Sequence, residues 1–220
     1  MNLPLILVNF KIYEEATGDN ALKLAKIHEK VAQETGMSIA VAVSALDLEK
    51  VANAVKIPVF AQHIDPYVYG SGTGKILPAV VKKMGAYGTL LNHAENQVPD
   101  EVLKKSIEMA KANGLFTVVC ANTPEKAKEI VAFGPDLIAV EPPELIGGDV
   151  SVSKANPAVI TKTVELLGKG KVFVGAGVKN GEDVKIAVEL GASGVLLASG
   201  ITKAKDPYSV LKDLVSGLGK

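Results

Sequence analysis

The chain of 220 residues carries 24 basic and 24 acidic side chains, so its formal net charge at neutral pH is zero. This balance argues against a protein that binds duplex nucleic acid, because neutralising phosphates requires a surplus of basic residues. Every basic residue is a lysine, which excludes bidentate recognition of a phosphate by arginine. A phosphate-bearing ligand would have to be held by lysine or by backbone amides.

The single cysteine, Cys120, excludes an internal disulfide and a zinc site built on cysteines. Residues 3–10 form an apolar run that is too short to span a bilayer, and no basic leader precedes it. These features predict a soluble, cytoplasmic protein without a membrane partner. No metal-ligand spacing, dinucleotide fingerprint or aromatic-and-basic stripe is present, so we expect no metal, no redox cofactor and no nucleic acid partner.

Eight short, largely apolar segments recur along the chain, and each ends near a small or polar residue. Their continuous apolar character is typical of parallel strands covered by helices on the outside. The predicted strands are Leu5–Asn9, Ser38–Val43, Val59–Gln62, Tyr87–Leu91, Phe116–Cys120, Asp136–Val140, Lys171–Gly175 and Gly194–Ala198.

Amphipathic segments alternate with these strands and predict helices. The clearest is Asp19–Thr35, and Pro99 and Asp100 open the next clear one. A capping residue before proline marks two further starts, at Thr123-Pro124 and Asn156-Pro157. The remaining predicted helices are Gly181–Leu190, Asp206–Val215 and two short ones, Leu46–Ala54 and Ile76–Met84.

This alternation, without a linker-like break, predicts one parallel α/β domain over residues 1–220. An open doubly wound sheet could use the same elements, but eight units favour a closed (β/α)₈ barrel. The length leaves about 27 residues per unit, so the helices and loops must be short. The longest connection without a helical pattern is Glu141–Ser153, which we predict to be a lid or binding loop.

In such a barrel the chemistry lies at the carboxyl ends of the strands. Three strand ends supply a cation, a possible electrophile and a possible base, namely Lys11, His93 and Glu141. Two prolines after Glu141 stiffen the chain there, which favours a general base over a carboxylate that caps the next helix. His93 is predicted to enter a short helical turn, whose amino terminus would favour the neutral imidazole. By contrast, His28 is predicted to be solvated on a helix face.

Small residues end the seventh and eighth predicted strands, in Gly175-Ala176-Gly177 and Ala198-Ser199-Gly200. Barrels often bind phosphate at this position through loop amides. A Gly-x-Gly alone usually indicates only a tight turn, but two consecutive small-residue strand ends indicate a phosphate site. Lys11 would then supply the cation that an anionic substrate needs, unless it is only a solvated loop residue.

These residues lie in stretches that resemble the triosephosphate isomerase family, and they are most similar to its short archaeal branch. The similarity runs from the first strand to the last. The matching stretches are Val8-Asn9-Phe10-Lys11, Ala61-Gln62-His63-Ile64-Asp65-Pro66, Leu90-Leu91-Asn92-His93, Val140-Glu141-Pro142-Pro143-Glu144-Leu145-Ile146-Gly147, Val152-Ser153-Lys154-Ala155, Gly175-Ala176-Gly177 and Gly194-Val195-Leu196-Leu197-Ala198-Ser199-Gly200.

The resemblance implies a single-domain TIM barrel that interconverts dihydroxyacetone phosphate and glyceraldehyde 3-phosphate in glycolysis and gluconeogenesis, without a cofactor. It implies that Glu141 is the proton-shuttling base, His93 the neutral electrophile and Lys11 the cation. Asn9 would lie beside Lys11, and Glu95 would be a supporting carboxylate. The residues expected to bind the substrate are Asn9, Lys11 and Gly147, together with Ile146, Gly177, Ala198 and Ser199, whose backbone would hold the phosphate. The resemblance further implies a homo-oligomer, either a tetramer or a dimer.

Two other functions compete with this interpretation. One is a different phosphate-handling barrel enzyme, acting on a phosphoribosyl or prenylglyceryl substrate, which would need a wider mouth or metal-binding acids. The other is a barrel that binds a sugar phosphate without catalysis, which would not exchange substrate protons with solvent.

Overall fold

A computed structural model of the chain describes residues 1–142, 145 and 151–219. Its parallel strands close into a barrel in which each pairs with the next along the chain and the last pairs with the first. The strands are β1 (Leu5–Asn9), β2 (Ser38–Val43), β3 (Val59–Ala61), β4 (Gly88–Leu91), β5 (Phe116–Ala121), β6 (Leu137–Val140), β7 (Val172–Val174) and β8 (Gly194–Leu197). The expected (β/α)₈ barrel is confirmed.

Helices in the described ranges cover the outside of the barrel, and several begin at the capping signals read from the sequence. The Thr123 side chain accepts a hydrogen bond from the Lys126 amide at the start of one of them. The helices are α1 (Asp19–Thr35), α2 (Leu48–Ala52), α3 (Pro78–Lys83), α4 (Asp100–Ala112), α5 (Pro124–Val131), α6 (Val152–Ala155), α7 (Pro157–Leu167), α8 (Gly181–Glu189), α9 (Ser199–Thr202) and α10 (Pro207–Ser216).

Each strand has two apolar faces, which explains why the strand segments show no polar alternation. One face fills the barrel interior with a separate buried cluster that includes Leu5, Leu7, Phe60, Leu90 and Phe173. The other face packs against the helices in a second, larger cluster. Side chains alternate between the two faces of a strand, so the residue two positions after a member of the interior cluster also faces the barrel interior, one layer nearer the carboxyl end.

The predicted strands match the structure to within one residue at each end, and the helices differ by a few residues. Two short helices that the sequence did not indicate are α6 and α9, and a 3-10 turn lies at Glu14–Ala16. The predicted Glu141–Ser153 loop is wrong at its end, because α6 already begins at Val152. Residues 143, 144 and 146–150 of that loop lie outside the described residues.

The prediction that His28 is solvated is wrong. His28 is fully buried on α1, where its ring lies 5.4 Å from the Phe10 ring and its Nδ1 lies 2.8 Å from the Leu24 carbonyl oxygen. It shares its helix face with Leu24 and Val31, which the 3.6-residue period brings toward the barrel. Burial lowers the pKa of His28 to about 4, although the Leu24 carbonyl opposes this shift.

Among the described residues, no helix combines the length and the apolar character that crossing a lipid bilayer requires.

Candidate active site

The interior rows of the barrel change from apolar to polar at its carboxyl end. Leu5 and Leu7 are followed on the same face of the chain by Asn9, and Leu137 and Ala139 by Glu141. Both Asn9 and Glu141 are about 5% exposed, so they are polar residues inside a nearly closed site. The alternation of the strands therefore places these side chains over the top of the core.

Within the described ranges, the backbone is left-handed at three non-glycine residues, and all three follow strands at this end. Lys11 has φ 49° after β1, Asn92 has φ 58° after β4 and Ala176 has φ 72° after β7. Such a conformation costs about 1–3 kcal/mol for a residue with a side chain, and it persists where the surrounding structure enforces it. The clustering of these residues marks the carboxyl end as the functional end of the barrel.

Lys11 is held by both its main chain and its ammonium group. The Lys11 amide donates to the Asn9 side-chain oxygen at 3.0 Å, and the Gln62 side-chain amide donates to the Lys11 carbonyl at 2.9 Å. The Lys11 Nζ lies 2.5 Å from Glu95 Oε1, and the Lys11 side chain is only 11% exposed. A cation is thus fixed at the mouth with one carboxylate beside it.

His93 does not begin a helix as predicted; it precedes a turn in which the Asn96 amide donates to the His93 carbonyl at 2.8 Å. The Glu95 amide donates to His93 Nδ1 at 3.1 Å, so Nδ1 is an acceptor and carries no proton in this arrangement. The ring proton is therefore on Nε2, which lies 4.0 Å from Glu141 Oε2. A turn amide, rather than a helix terminus, therefore orients the ring so that Nε2 faces the site.

Glu141 is a buried carboxylate with little hydrogen bonding. Burial raises the pKa of Glu141 above its ordinary value, and His93, the Cys120 thiol and Lys11 only partly offset that effect. Among the described residues, its Oε2 has no hydrogen-bond partner. A carboxylate with a raised pKa and a free oxygen is suited to accept a proton from a bound molecule.

Gly175 makes room for this carboxylate. A Cβ atom at Gly175 would lie 2.4 Å from both the Cγ and the Oε1 of Glu141, far inside van der Waals contact. The sequence interpretation assigned Gly175 to the phosphate site only. The structure gives it a second task, because any larger residue would displace the candidate base.

A cavity connects these groups and holds about 520 Å³ of space between protein atoms, part of it open to solvent. Four of the predicted site residues line it beside the strand ends of β1, β4 and β6, and three more line it after β7 and β8. They are Asn9, Lys11, His93 and Glu141, with Gly177, Ala198 and Ser199. Glu95 reaches the site through Lys11, whereas Ile146 and Gly147 lie outside the described residues.

A family model described as triosephosphate isomerase matches residues 4–216 of the chain. The chain belongs to the triosephosphate isomerase family. Proteins of that name are similar to it over almost their whole length: 48% identical in Methanobacterium bryantii, covering 97% of this chain and 96% of the relative, and 47% identical in Methanocaldococcus jannaschii, covering 96% and 98%. A relative in Metallosphaera sedula is 46% identical, covering 99% and 96%.

The crystal structure of triosephosphate isomerase from Bartonella henselae superposes with a TM-score of 0.74 over 97% of each chain, at 17% identity. That likeness supports the barrel fold of the family. The expected resemblance to the short archaeal branch is supported by the relatives, most of which are archaeal methanogens.

In this member of the triosephosphate isomerase family, the sequence interpretation missed the residues that orient the site. The Gln62 amide also contacts Asn9 Oδ1 at 3.2 Å, so one side chain secures both residues before and after Phe10. Asn92 donates to the Cys120 carbonyl at 3.1 Å and accepts from the Val98 amide at 3.2 Å, which fixes the chain before His93. The sequence did hold one signal for both residues: Gln62 and Asn92 each lie two positions after a buried apolar strand residue, so they face the same side as the barrel interior.

Proposed function

We propose that the chain catalyses the family's reaction, the interconversion of dihydroxyacetone phosphate and D-glyceraldehyde 3-phosphate by proton transfer through an enediolate. The observation that carries this proposal is the 4.0 Å approach of Glu141 Oε2 to His93 Nε2 in a cavity that Lys11 also lines. The reaction is a step of glycolysis and gluconeogenesis.

The three groups divide the reaction between them. Glu141 removes a proton from the carbon beside the carbonyl, for which a buried carboxylate with a raised pKa is a suitable base. His93 donates from Nε2 to the carbonyl oxygen, and Lys11 stabilises the negative charge that develops there. Glu141 then returns the proton to the neighbouring carbon, while His93 Nε2 gives a proton to the former carbonyl oxygen and regains one from the neighbouring hydroxyl, so the protons balance without a cofactor.

Asn9 and Glu95 have supporting roles in this proposal. Asn9 fixes the left-handed Lys11 backbone through the 3.0 Å hydrogen bond of the Lys11 amide to its side-chain oxygen. Glu95 orients both partners, since its carboxylate pairs with Lys11 and its amide donates to His93 Nδ1. Loss of either residue would leave the cation or the donor less well positioned.

We assign the phosphate of the substrate to the side of the cavity formed after β7 and β8. The residues proposed to bind it are Ile146, Gly147, Gly177, Ala198 and Ser199, together with Lys11. The support is that the last three of these named small residues and Lys11 line the same cavity as the candidate base. In a chain without arginine, amides and lysine are the available phosphate donors.

Replacing Glu141 by glutamine tests the assignment. The amide keeps the size of the side chain but accepts a proton poorly, so we expect kcat to fall about 10²–10⁴-fold in a coupled isomerisation assay. Glu189→Gln is the matched control, because Glu189 is exposed on α8 and should tolerate the same change with full activity. Wild-type turnover that survives Glu141→Gln would overturn the proposal.

We propose that residues 1–220 act as one domain and that the protein is cytoplasmic. The support for that location is the lone cysteine, Cys120, which is buried and free, a usage typical of reducing compartments.

We propose further that the protein is a homo-oligomer, a dimer or a tetramer. Three neighbouring loops, those after β1, β2 and β3, present strongly exposed apolar side chains at the carboxyl end of the barrel. These are Ile12 at 83% exposure, Leu46 at 96%, Val68 at 74% and Tyr69 at 60%. Exposed apolar side chains concentrated at one end of a domain are typical of protein interfaces.

Light scattering measures the particle mass directly and tests the assembly. The wild-type protein should give at least twice the mass of one chain, and Leu46→Lys should shift the mass toward one chain because it buries a charge in the interface. A wild-type particle of one-chain mass at micromolar concentration would contradict the proposal.

A further inference from the structure

Asp183 is a buried carboxylate outside the group of side chains described so far. It lies in the first turn of α8, shortly after residues 176–179, which line the cavity, and only 3% of it is exposed. A carboxylate in such a position costs free energy unless charged and polar partners compensate for the lost water. Its partners therefore show which parts of the molecule depend on it.

One set of partners belongs to the end of the segment that follows Glu141 in the chain. The ammonium of Lys154 lies 2.7 Å from Asp183 Oδ1, and the Ser153 hydroxyl donates to the Asp183 carbonyl at 3.1 Å. The hydroxyl of Ser151 lies 3.0 Å from that of Ser153, and both serines are buried. The start of α6 is thus attached to the first turn of α8.

The other partner belongs to the cavity wall after β7. The Lys179 amide donates to Asp183 Oδ2 at 3.0 Å, and Lys179 lines the cavity together with Gly177. The two segments also meet directly, because the Val152 amide donates to the Ala176 carbonyl at 3.2 Å. The Asp183 carboxylate therefore connects the start of α6, where the segment after Glu141 ends, to the residues after β7 that would face the substrate phosphate.

The charge of Asp183 is needed for both attachments. Burial by itself would raise the pKa of Asp183, but the Lys154 side chain, the Lys179 amide and the Ser151 hydroxyl together hold it below its ordinary value. The group is therefore ionised at neutral pH. An asparagine could satisfy one of the two attachments, but it would remove the charge that pairs with Lys154.

We propose that Asp183 is a positioning residue that holds the two sides of the phosphate end of the cavity in register, through Lys154 on one side and the Lys179 amide on the other. The inference rests on the proposed function and extends it to a residue outside the cavity lining. The three groups that handle the proton follow β1, β4 and β6, and none of the Asp183 contacts described above involves them.

Because of this arrangement, a change at Asp183 should weaken use of the substrate phosphate without weakening proton transfer, whereas a general loss of structure would weaken both. A substrate with a phosphate uses the end of the cavity that Asp183 organises, and its remote binding free energy contributes to the rate. Glyceraldehyde has the same carbonyl and the same acidic C–H bond but no phosphate. Changes at Asp183 should therefore affect the phosphorylated substrate and leave proton exchange into glyceraldehyde almost unchanged.

The experiment compares Asp183→Asn, Lys154→Met and Lys154→Arg on both substrates. We expect kcat/KM for glyceraldehyde 3-phosphate to fall at least tenfold in Asp183→Asn and Lys154→Met, and Lys154→Arg to stay within threefold of wild type because it keeps the cation. Deuterium exchange into glyceraldehyde should stay within twofold in all three. Asp213→Asn is the matched control, since Asp213, on α10, accepts from the Gly181 amide at the start of the same helix.

Thermal unfolding is recorded for each variant. If Asp183→Asn does not fold, Lys154→Met decides, because that side chain is 45% exposed and its loss leaves the core packing intact. Equal losses on the two substrates, or undiminished kcat/KM in Lys154→Met, would overturn the inference. A wild-type protein that does not turn over glyceraldehyde 3-phosphate would instead overturn the proposed function.

Discussion

The two ends of the barrel are built from the same strands but differ in how fully their polar groups are satisfied. At the amino end, Thr117 and Asp136 exchange hydrogen bonds, with the Thr117 amide donating to Asp136 Oδ2 at 2.8 Å and the Asp136 amide donating to Thr117 Oγ1 at 2.9 Å. Lysines of α3 and α4 reach loop carbonyls there, as Lys82 does at Gly114 over 2.7 Å.

At the carboxyl end the chain accepts strain and incomplete hydrogen bonding. Lys11, Asn92 and Ala176 have left-handed backbones, and Glu141 is buried with a raised pKa. Such features reduce stability, and natural proteins retain them at functional sites. The amino end therefore contributes stability and the carboxyl end contributes chemistry. Substitutions at the amino end should lower the stability of the fold, and substitutions at the carboxyl end should lower kcat.

Among the variants that compare the two ends, the largest expected effect concerns His93. In His93→Gln the imidazole donor at the carbonyl oxygen is lost, so we expect kcat to fall about 10²–10³-fold, the usual consequence of removing one donor to a developing oxyanion. The melting temperature should change little. His63→Gln is the control, because His63 is partly buried near Asp65 and is not expected to touch the reacting atoms. Activity of His93→Gln within threefold of wild type would contradict the role.

A pair of glycine substitutions compares the two ends directly. In Gly175→Ala the new Cβ would displace the Glu141 carboxylate, and a shift of about 1 Å is expected to lower kcat about 10²-fold per folded molecule. In Gly88→Ala, at the amino end of β4, the new Cβ would lie 2.2 Å from the Phe116 carbonyl oxygen. That variant should lose stability, while the fraction that folds keeps its kcat.

Thermal unfolding and kcat measured on both glycine variants test the comparison. If Gly175→Ala lost only stability, or if folded Gly88→Ala lost its kcat, the assignment of chemistry to one end and stability to the other would be wrong.

The smallest expected effect on activity concerns His28, a histidine away from the mouth. Its pKa is about 4 in the folded protein and about 6.5 when exposed, so the unfolded chain binds the proton first. Stability should therefore be complete above pH 6.5 and decrease as the pH falls toward 4. The difference amounts to about 3 kcal/mol at the acid limit.

Denaturant unfolding between pH 4 and 7 measures this dependence. His28→Leu should have a flatter profile, since it has no proton to bind, and its activity at neutral pH should stay within twofold of wild type. An equally steep profile in His28→Leu would show that other groups cause the loss of stability.

The sequence predicted the barrel because eight strand segments and their helices repeat without interruption. It also placed Lys11, His93 and Glu141 at one end, since parallel strands bring their carboxyl ends together. It failed where tertiary contacts decide. His28 has charged neighbours in the chain but faces Phe10, and the His93 ring is oriented by a turn amide rather than by a helix terminus.

The roles of Gln62 and Gly175 could not be read from the chain for a similar reason. Gln62 matters because its amide reaches the Lys11 carbonyl, 51 residues away in sequence. Gly175 matters because β7 passes close to the Glu141 side chain, and no local pattern reports that distance. Contacts across strand ends depend on the register of the closed barrel, which the sequence only implies.

The central claim is that Glu141 carries a proton between neighbouring carbons of the substrate. Isomerisation of dihydroxyacetone phosphate in deuterium oxide, followed by NMR, tests it most directly. The account predicts that the wild-type product carries deuterium at the carbon that receives the proton, and that Glu141→Gln forms no labelled product above the uncatalysed rate. Product formed by Glu141→Gln at the wild-type rate, labelled or unlabelled, would contradict it.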